Sequence, residues 1–88
     1  MTYELEFKAK ALKKFDKLNP QIAEQFINKL EAILENPKIP RNKLSGSVDL
    51  YKINLRSVGY RLVYQVIDER IVVLVLDVGR RDTIYKDM

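Results

Sequence analysis

The chain has 88 residues, a formal charge of +4, and no histidine, cysteine or tryptophan. That length fits one small domain, expected to span residues 1–88, and rules out a two-domain enzyme with a cleft between its halves. Without cysteine or histidine there is no disulfide framework, thiol nucleophile, Ser-His-Asp triad or ordinary zinc site. Any catalysis must therefore come from Lys, Arg, Tyr, Asp or Glu.

The basic excess points to anionic partners. It is not segregated, because residues 1–50 and 51–88 each carry a net +2, so a basic patch has to be assembled by folding. The N-terminal Met-Thr-Tyr-Glu-Leu-Glu-Phe lacks the apolar core of a signal peptide. The uncharged apolar run from Ile71 to Leu76 is far short of the ~20 residues of a membrane helix. A soluble cytoplasmic domain with no membrane partner is expected.

In chain order, Tyr3, Leu5 and Phe7 alternate with Glu4 and Glu6, the pattern of a half-buried strand. From Lys8 the period changes. Ala9, Leu12, Phe15 and Leu18 predict one apolar helix face, with Lys10, Lys13, Lys14 and Lys17 around the remainder. Asn19-Pro20 ends this helix and opens a second one, since proline suits a first turn but not an interior. Ile22, Phe26, Leu30, Ile33 and Leu34 mark its apolar stripe, and Asn36-Pro37 stops it. A helical hairpin follows from so short a break. Residues 36–49 read as a loop with basic residues Lys38, Arg41 and Lys43.

The period then becomes two. Tyr51, Ile53 and Leu55 oppose Lys52, Asn54 and Arg56. Ser57-Val58-Gly59 signals a turn, and Tyr60, Leu62, Tyr64 and Val66 form the next apolar face. Asp68-Glu69 signals another turn, and Arg70 to Val78, apolar on both faces, predicts a central strand. The fold class is α+β: an N-terminal strand, a helical hairpin, then a three-stranded antiparallel meander, all in one four-stranded sheet (β-α-α-β-β-β) with the helices on one face.

Paired strand residues share a face, so a slip of one residue flips every side chain. Bringing Tyr51, Ile53 and Leu55 beside Tyr60, Leu62 and Tyr64 pairs odd numbers with even ones. The connecting loop must then hold two or four residues. Arg61 falls onto the face of Lys52, Asn54 and Arg56, away from the helices. A three-residue loop would instead bury Arg61 without a partner, which is costly. Gly79-Arg80-Arg81-Asp82 follows the last strand, with Tyr85 four residues past Arg81. Arginine forks suit phosphate, and tyrosine offers a phenol or a stacking ring. Two readings stand at this point: an RNA phosphodiester site, or strand charges that serve solubility and edge protection. The five lysines of Lys8–Lys17 likewise read as a solvated helix face or as contacts to nucleic acid or a ribosome. Glu24, Glu31 and Glu35 sit on exposed helix faces with no cleft for acid–base work.

The segment Tyr51-Lys52-Ile53-Asn54-Leu55-Arg56-Ser57-Val58-Gly59-Tyr60-Arg61-Leu62-Val63-Tyr64-Gln65-Val66, with Asn42-Lys43-Leu44-Ser45-Gly46 and Val78-Gly79-Arg80-Arg81, resembles the RelE branch of the RelE/ParE toxin family. The resemblance runs over essentially the whole chain. It implies the toxin of a type II toxin–antitoxin module, a ribosome-dependent endoribonuclease that cuts mRNA codons in the A site. In that family the RNA's own 2′-hydroxyl attacks the adjacent phosphate, and neither metal nor cofactor takes part.

By the same resemblance Lys52 and Arg61 stabilise the charged phosphorane. Arg81 takes the place assigned to leaving-group protonation, although a guanidinium pKa above ~12 favours phosphate binding there. Tyr85 takes that of a C-terminal tyrosine that stacks on or activates the substrate. Asn54, Arg56, Arg80 and Lys43 are expected to bind RNA phosphates, and Lys10, Lys13, Lys14 and Lys17 to touch the ribosome. Asn54 replaces a family lysine, which removes one candidate general base. The implied partners are a RelB-like antitoxin in a toxin–antitoxin hetero-oligomer, the 30S/70S ribosome with its 16S rRNA, and mRNA. Two alternatives come with the family: a ParE-like inhibitor of DNA gyrase that cuts nothing, and a weakened toxin retained to bind antitoxin.

Overall fold

The computed structural model describes residues 2–44, 46 and 49–80. Its elements are β1 (Glu4–Phe7), α1 (Ala9–Asp16), α2 (Pro20–Ile33), a single 3-10 turn (Pro40–Asn42), β2 (Leu50–Leu55), β3 (Tyr60–Ile67) and β4 (Val72–Arg80). The strands form one sheet in the order β1-β4-β3-β2. The meander is antiparallel, and β1 lies parallel to β4 with Leu5 opposite Val73 and Phe7 opposite Val75. The α+β arrangement and the element order are those read from the sequence.

The helix boundary between α1 and α2 is set locally. Asn19 caps α2 through its side-chain oxygen, which accepts from Gln21 N–H at 2.9 Å, and Pro20 occupies the first turn. Helix α1 is short and has no side-chain cap, so packing must hold it in place. Its buried stripe differs from the predicted one. Ala11 is fully buried and Phe15 and Leu18 pack on the core, while Leu12 is 44% exposed and Ala9 also faces solvent. The spacing of four and then three follows the true helical period, and a strict spacing of three drifts off the face. Phe15 meets Phe7 of β1 with ring centroids 5.1 Å apart in a tilted arrangement.

The core lies between the hairpin and one sheet face. Phe26 and Leu30 of α2 are fully buried against Ile53, Leu62, Tyr64 and Val75. Burial of either side chain contributes ~2–3 kcal/mol. Tyr51 and Tyr64 stack across β2 and β3 at 5.5 Å. Tyr64 Oη donates to the Pro37 carbonyl at 2.8 Å in a buried setting, tying the loop after α2 to the sheet.

The β2–β3 turn holds four residues, Arg56 to Gly59, because Leu55 pairs with Tyr60. The even count required by the apolar pattern is thus met. Gly59 takes φ 70°, a left-handed conformation that glycine adopts without strain. The β3–β4 register slips by one between Val63 and Tyr64 of β3, so that Leu76 of β4 is left over as a bulge. Val73 and Val75 are buried before it and Val78 after it. This change of parity is part of why the strand reads as apolar on both faces.

A buried acid anchors α1. Asp77 is 2% exposed. Its Oδ1 accepts from Val78 N–H at 2.9 Å and pairs with Lys14 at 3.0 Å, and its Oδ2 lies 4.0 Å from Lys10. At the sheet's other end Asp68 accepts from Tyr3 Oη at 2.7 Å and pairs with Lys38. Those two bonds, Lys38 first, hold the Asp68 carboxyl below its usual range, and they raise the Tyr3 phenol and the Lys38 ammonium.

Candidate functional site

The register fixes the site. Asn54 pairs with Arg61, and Lys52 pairs with Val63 one step along. Lys52, Asn54 and Arg61 therefore share the sheet face away from the hairpin, as the parity of the apolar residues required. Lys52 and Asn54 are half-buried and Arg61 is 8% exposed. A guanidinium so far from water needs partners. One is present: Arg61 Nε donates to Asn54 Oδ1 at 2.6 Å.

On its other flank Arg61 pairs with Gly79. Among the described residues nothing lies within 4 Å of the point where a Cβ at Gly79 would stand. The site thus sets a nearly buried arginine beside a neighbour that has no side chain. Such a site stabilises developing negative charge far better than an exposed one does.

Not every expected residue joins this face. Arg56 lies in the β2–β3 turn and not on the strand, and is exposed. It lines a groove of about 320 Å³ along the outer edge of β2, with Lys29 of α2 and Arg41 of the 3-10 turn above an apolar floor of Ile33, Ile39 and Ile53. Arg80 pairs with Tyr60, so it shares the face of Tyr60 and Leu62, opposite that of Arg61. Lys43 is exposed in the loop, where it bridges to Tyr51. Lys10 and Lys14 serve Asp77, while Lys13 and Lys17 are exposed. Arg81 and Tyr85 lie outside the described residues. Lys29 had no signal in the sequence, because its neighbours in the groove come from a loop and a turn later in the chain. Among the described residues no group of three or more acidic side chains is placed to hold a metal ion.

A small antiparallel meander with a parallel edge strand, a helical hairpin on one face and Lys52, Asn54 and Arg61 on the other defines the class: a small α+β domain with a basic sheet face. Residues 5–85 match the family described as the ParE toxin of the type II toxin-antitoxin system, parDE. The chain is 55% identical over 82 residues to the mRNA interferase toxin RelE of Escherichia coli (strain K12), covering 93% of this chain and 86% of that protein. The crystal structure of the isolated E. coli RelE toxin superposes with a TM-score of 0.87 at 52% identity, covering 97% and 93% of the two chains. The toxin of the intact E. coli RelBE toxin-antitoxin complex gives 0.86 at 55% identity, covering 89% and 95%. The chain belongs to the RelE/ParE family of type II toxin–antitoxin toxins. Among the described residues no helix is long and apolar enough to cross a membrane.

Proposed function

We propose that residues 1–88 form a single toxin domain that acts in the cytoplasm as a ribosome-dependent mRNA endonuclease and is held inactive by a RelB-like antitoxin. The observation that carries this reading is the Lys52–Asn54–Arg61 face, with its nearly buried arginine beside Gly79, which has no side chain. Its support from relatives is the 55% identity to a protein named an mRNA interferase.

On this reading the RNA supplies its own nucleophile. The 2′-hydroxyl attacks the adjacent phosphorus, the bond to the 5′-oxygen of the next nucleotide breaks, and the products are a 2′,3′-cyclic phosphate and a 5′-hydroxyl. The phosphorane gains negative charge on its way to the transition state. Lys52 and Arg61 bind that charge, Arg61 from a site where little reorganisation is needed. Arg81 adds a second guanidinium and Tyr85 a ring or phenol, both assigned from sequence position alone. On this reading the protein's contribution is charge stabilisation and alignment. Arg56, Lys43 and Arg80 hold flanking phosphates or ribosomal RNA, together with the exposed Lys13 and Lys17.

The test is primer extension on mRNA after brief induction. Cuts within translated codons that vanish in Arg61→Ala and Arg81→Ala support the reading. Intact mRNA with trapped gyrase–DNA complexes supports the gyrase reading instead.

A further inference from the structure

Asn54 and Arg61 stand directly opposite each other on β2 and β3, and the 2.6 Å bond between them joins Nε to Oδ1. The chemistry fixes which amide atom faces the arginine. A guanidinium has donors and no acceptor, so only the carboxamide oxygen can meet Nε. That commits Oδ1 and leaves Nδ2 as the amide's donor end. The bond is charge-assisted, and with Arg61 8% exposed water competes weakly for the arginine end of it. The contact forms on the β2 side of Arg61, whereas the Gly79 side is open among the described residues. An arginine stem has several rotatable bonds, and fixing Nε orients the guanidinium plane. An ammonium at residue 54 would have no acceptor to offer and would repel Arg61.

We infer that Asn54 is a positioning residue: it clamps Arg61 through Nε so that the guanidinium meets the scissile phosphate in one orientation. This rests on the interferase reading above and assigns Asn54 no direct contact with the reacting atoms.

Two measurements test it. The first is single-turnover cleavage of mRNA on programmed ribosomes by wild type, Asn54→Leu, Arg61→Ala and the double variant. Asn54→Leu slows the cleavage step about 10–100-fold, with the half-saturating toxin concentration changed less than about threefold. In the Arg61→Ala background the same change slows cleavage less than about twofold further, because the residue it acts through is gone. Full additivity overturns the inference, since it means that Asn54 acts on the substrate by itself.

The second is proton exchange at the Arg61 Nε–H, read by NMR on the free toxin. Exchange is slow in wild type and in Asn54→Asp, which keeps an oxygen at that place, and fast in Asn54→Leu. Equal exchange in wild type and Asn54→Leu overturns the clamp whatever the activities are. Absence of cleavage by wild type overturns the interferase reading, and with it the catalytic role of the clamp, while the exchange result still decides whether the clamp exists.

Discussion

Replacing Tyr64 by Phe removes one hydroxyl and leaves the ring stacked on Tyr51. The hydroxyl donates to the Pro37 carbonyl, and both residues are fully buried. A buried acceptor left empty costs ~1–3 kcal/mol. Pro37 is not left empty, because Ile39 N–H donates to the same oxygen at 3.1 Å. The loss is therefore at the low end, about 1–1.5 kcal/mol. In a domain of this size that lowers Tm by roughly 4–10 °C. Burial, and secondarily the nearby Tyr51, raises the Tyr64 phenol above its ordinary value. A raised phenol contributes stability that is complete below the unfolded-state value of ~10 and is lost as pH climbs past it. Calorimetry at pH 7 and above pH ~10 should thus show the wild-type advantage at neutral pH and its narrowing in alkali. A Tm within about 2 °C of wild type at pH 7 refutes the claim that this bond ties the loop to the sheet.

Three further outcomes follow from the geometry. Lys14→Ala destabilises the fold by ~1 kcal/mol in urea unfolding, because it strips a close partner from buried Asp77, with the figure discounted for the lysine's own exposure. Lys13→Ala, at an exposed position of the same helix, stays within ~0.5 kcal/mol. In an NMR titration the Asp68 carboxyl protonates below the usual carboxylate range, and Lys38→Met moves it back toward that range. Its stabilising effect is present above the unfolded-state pKa and fades as pH falls through the folded value.

The sheet was legible because apolar alternation carries parity. Tyr51, Ile53 and Leu55 against Tyr60, Leu62 and Tyr64 demand an even loop, and that demand puts Arg61 on the face of Lys52 and Asn54; the pairing with Asn54 itself comes from the register. The position of β1 was not legible, since a four-residue strand carries no register signal for a partner some 68 residues later. The bulge at Leu76 escaped for a related reason: an all-valine and leucine run does not reveal where its parity changes. Arg56 looks like a strand residue in the sequence because the turn signal Ser57-Val58-Gly59 starts one residue after the turn does. Among the lysines of α1, those that bind Asp77 and those that face solvent look alike in sequence. What separates them is a carboxylate some sixty residues away.

The residue roles rest most heavily on Arg61. The direct measurement is the rate of mRNA cleavage on programmed ribosomes by wild type, Lys52→Ala and Arg61→Ala, each checked for an unchanged fold by circular dichroism. Loss of one preorganised donor to the developing phosphorane should slow cleavage by about 10²–10³-fold in each variant. Cleavage within about threefold of wild type in both would contradict a catalytic role for this face of the sheet.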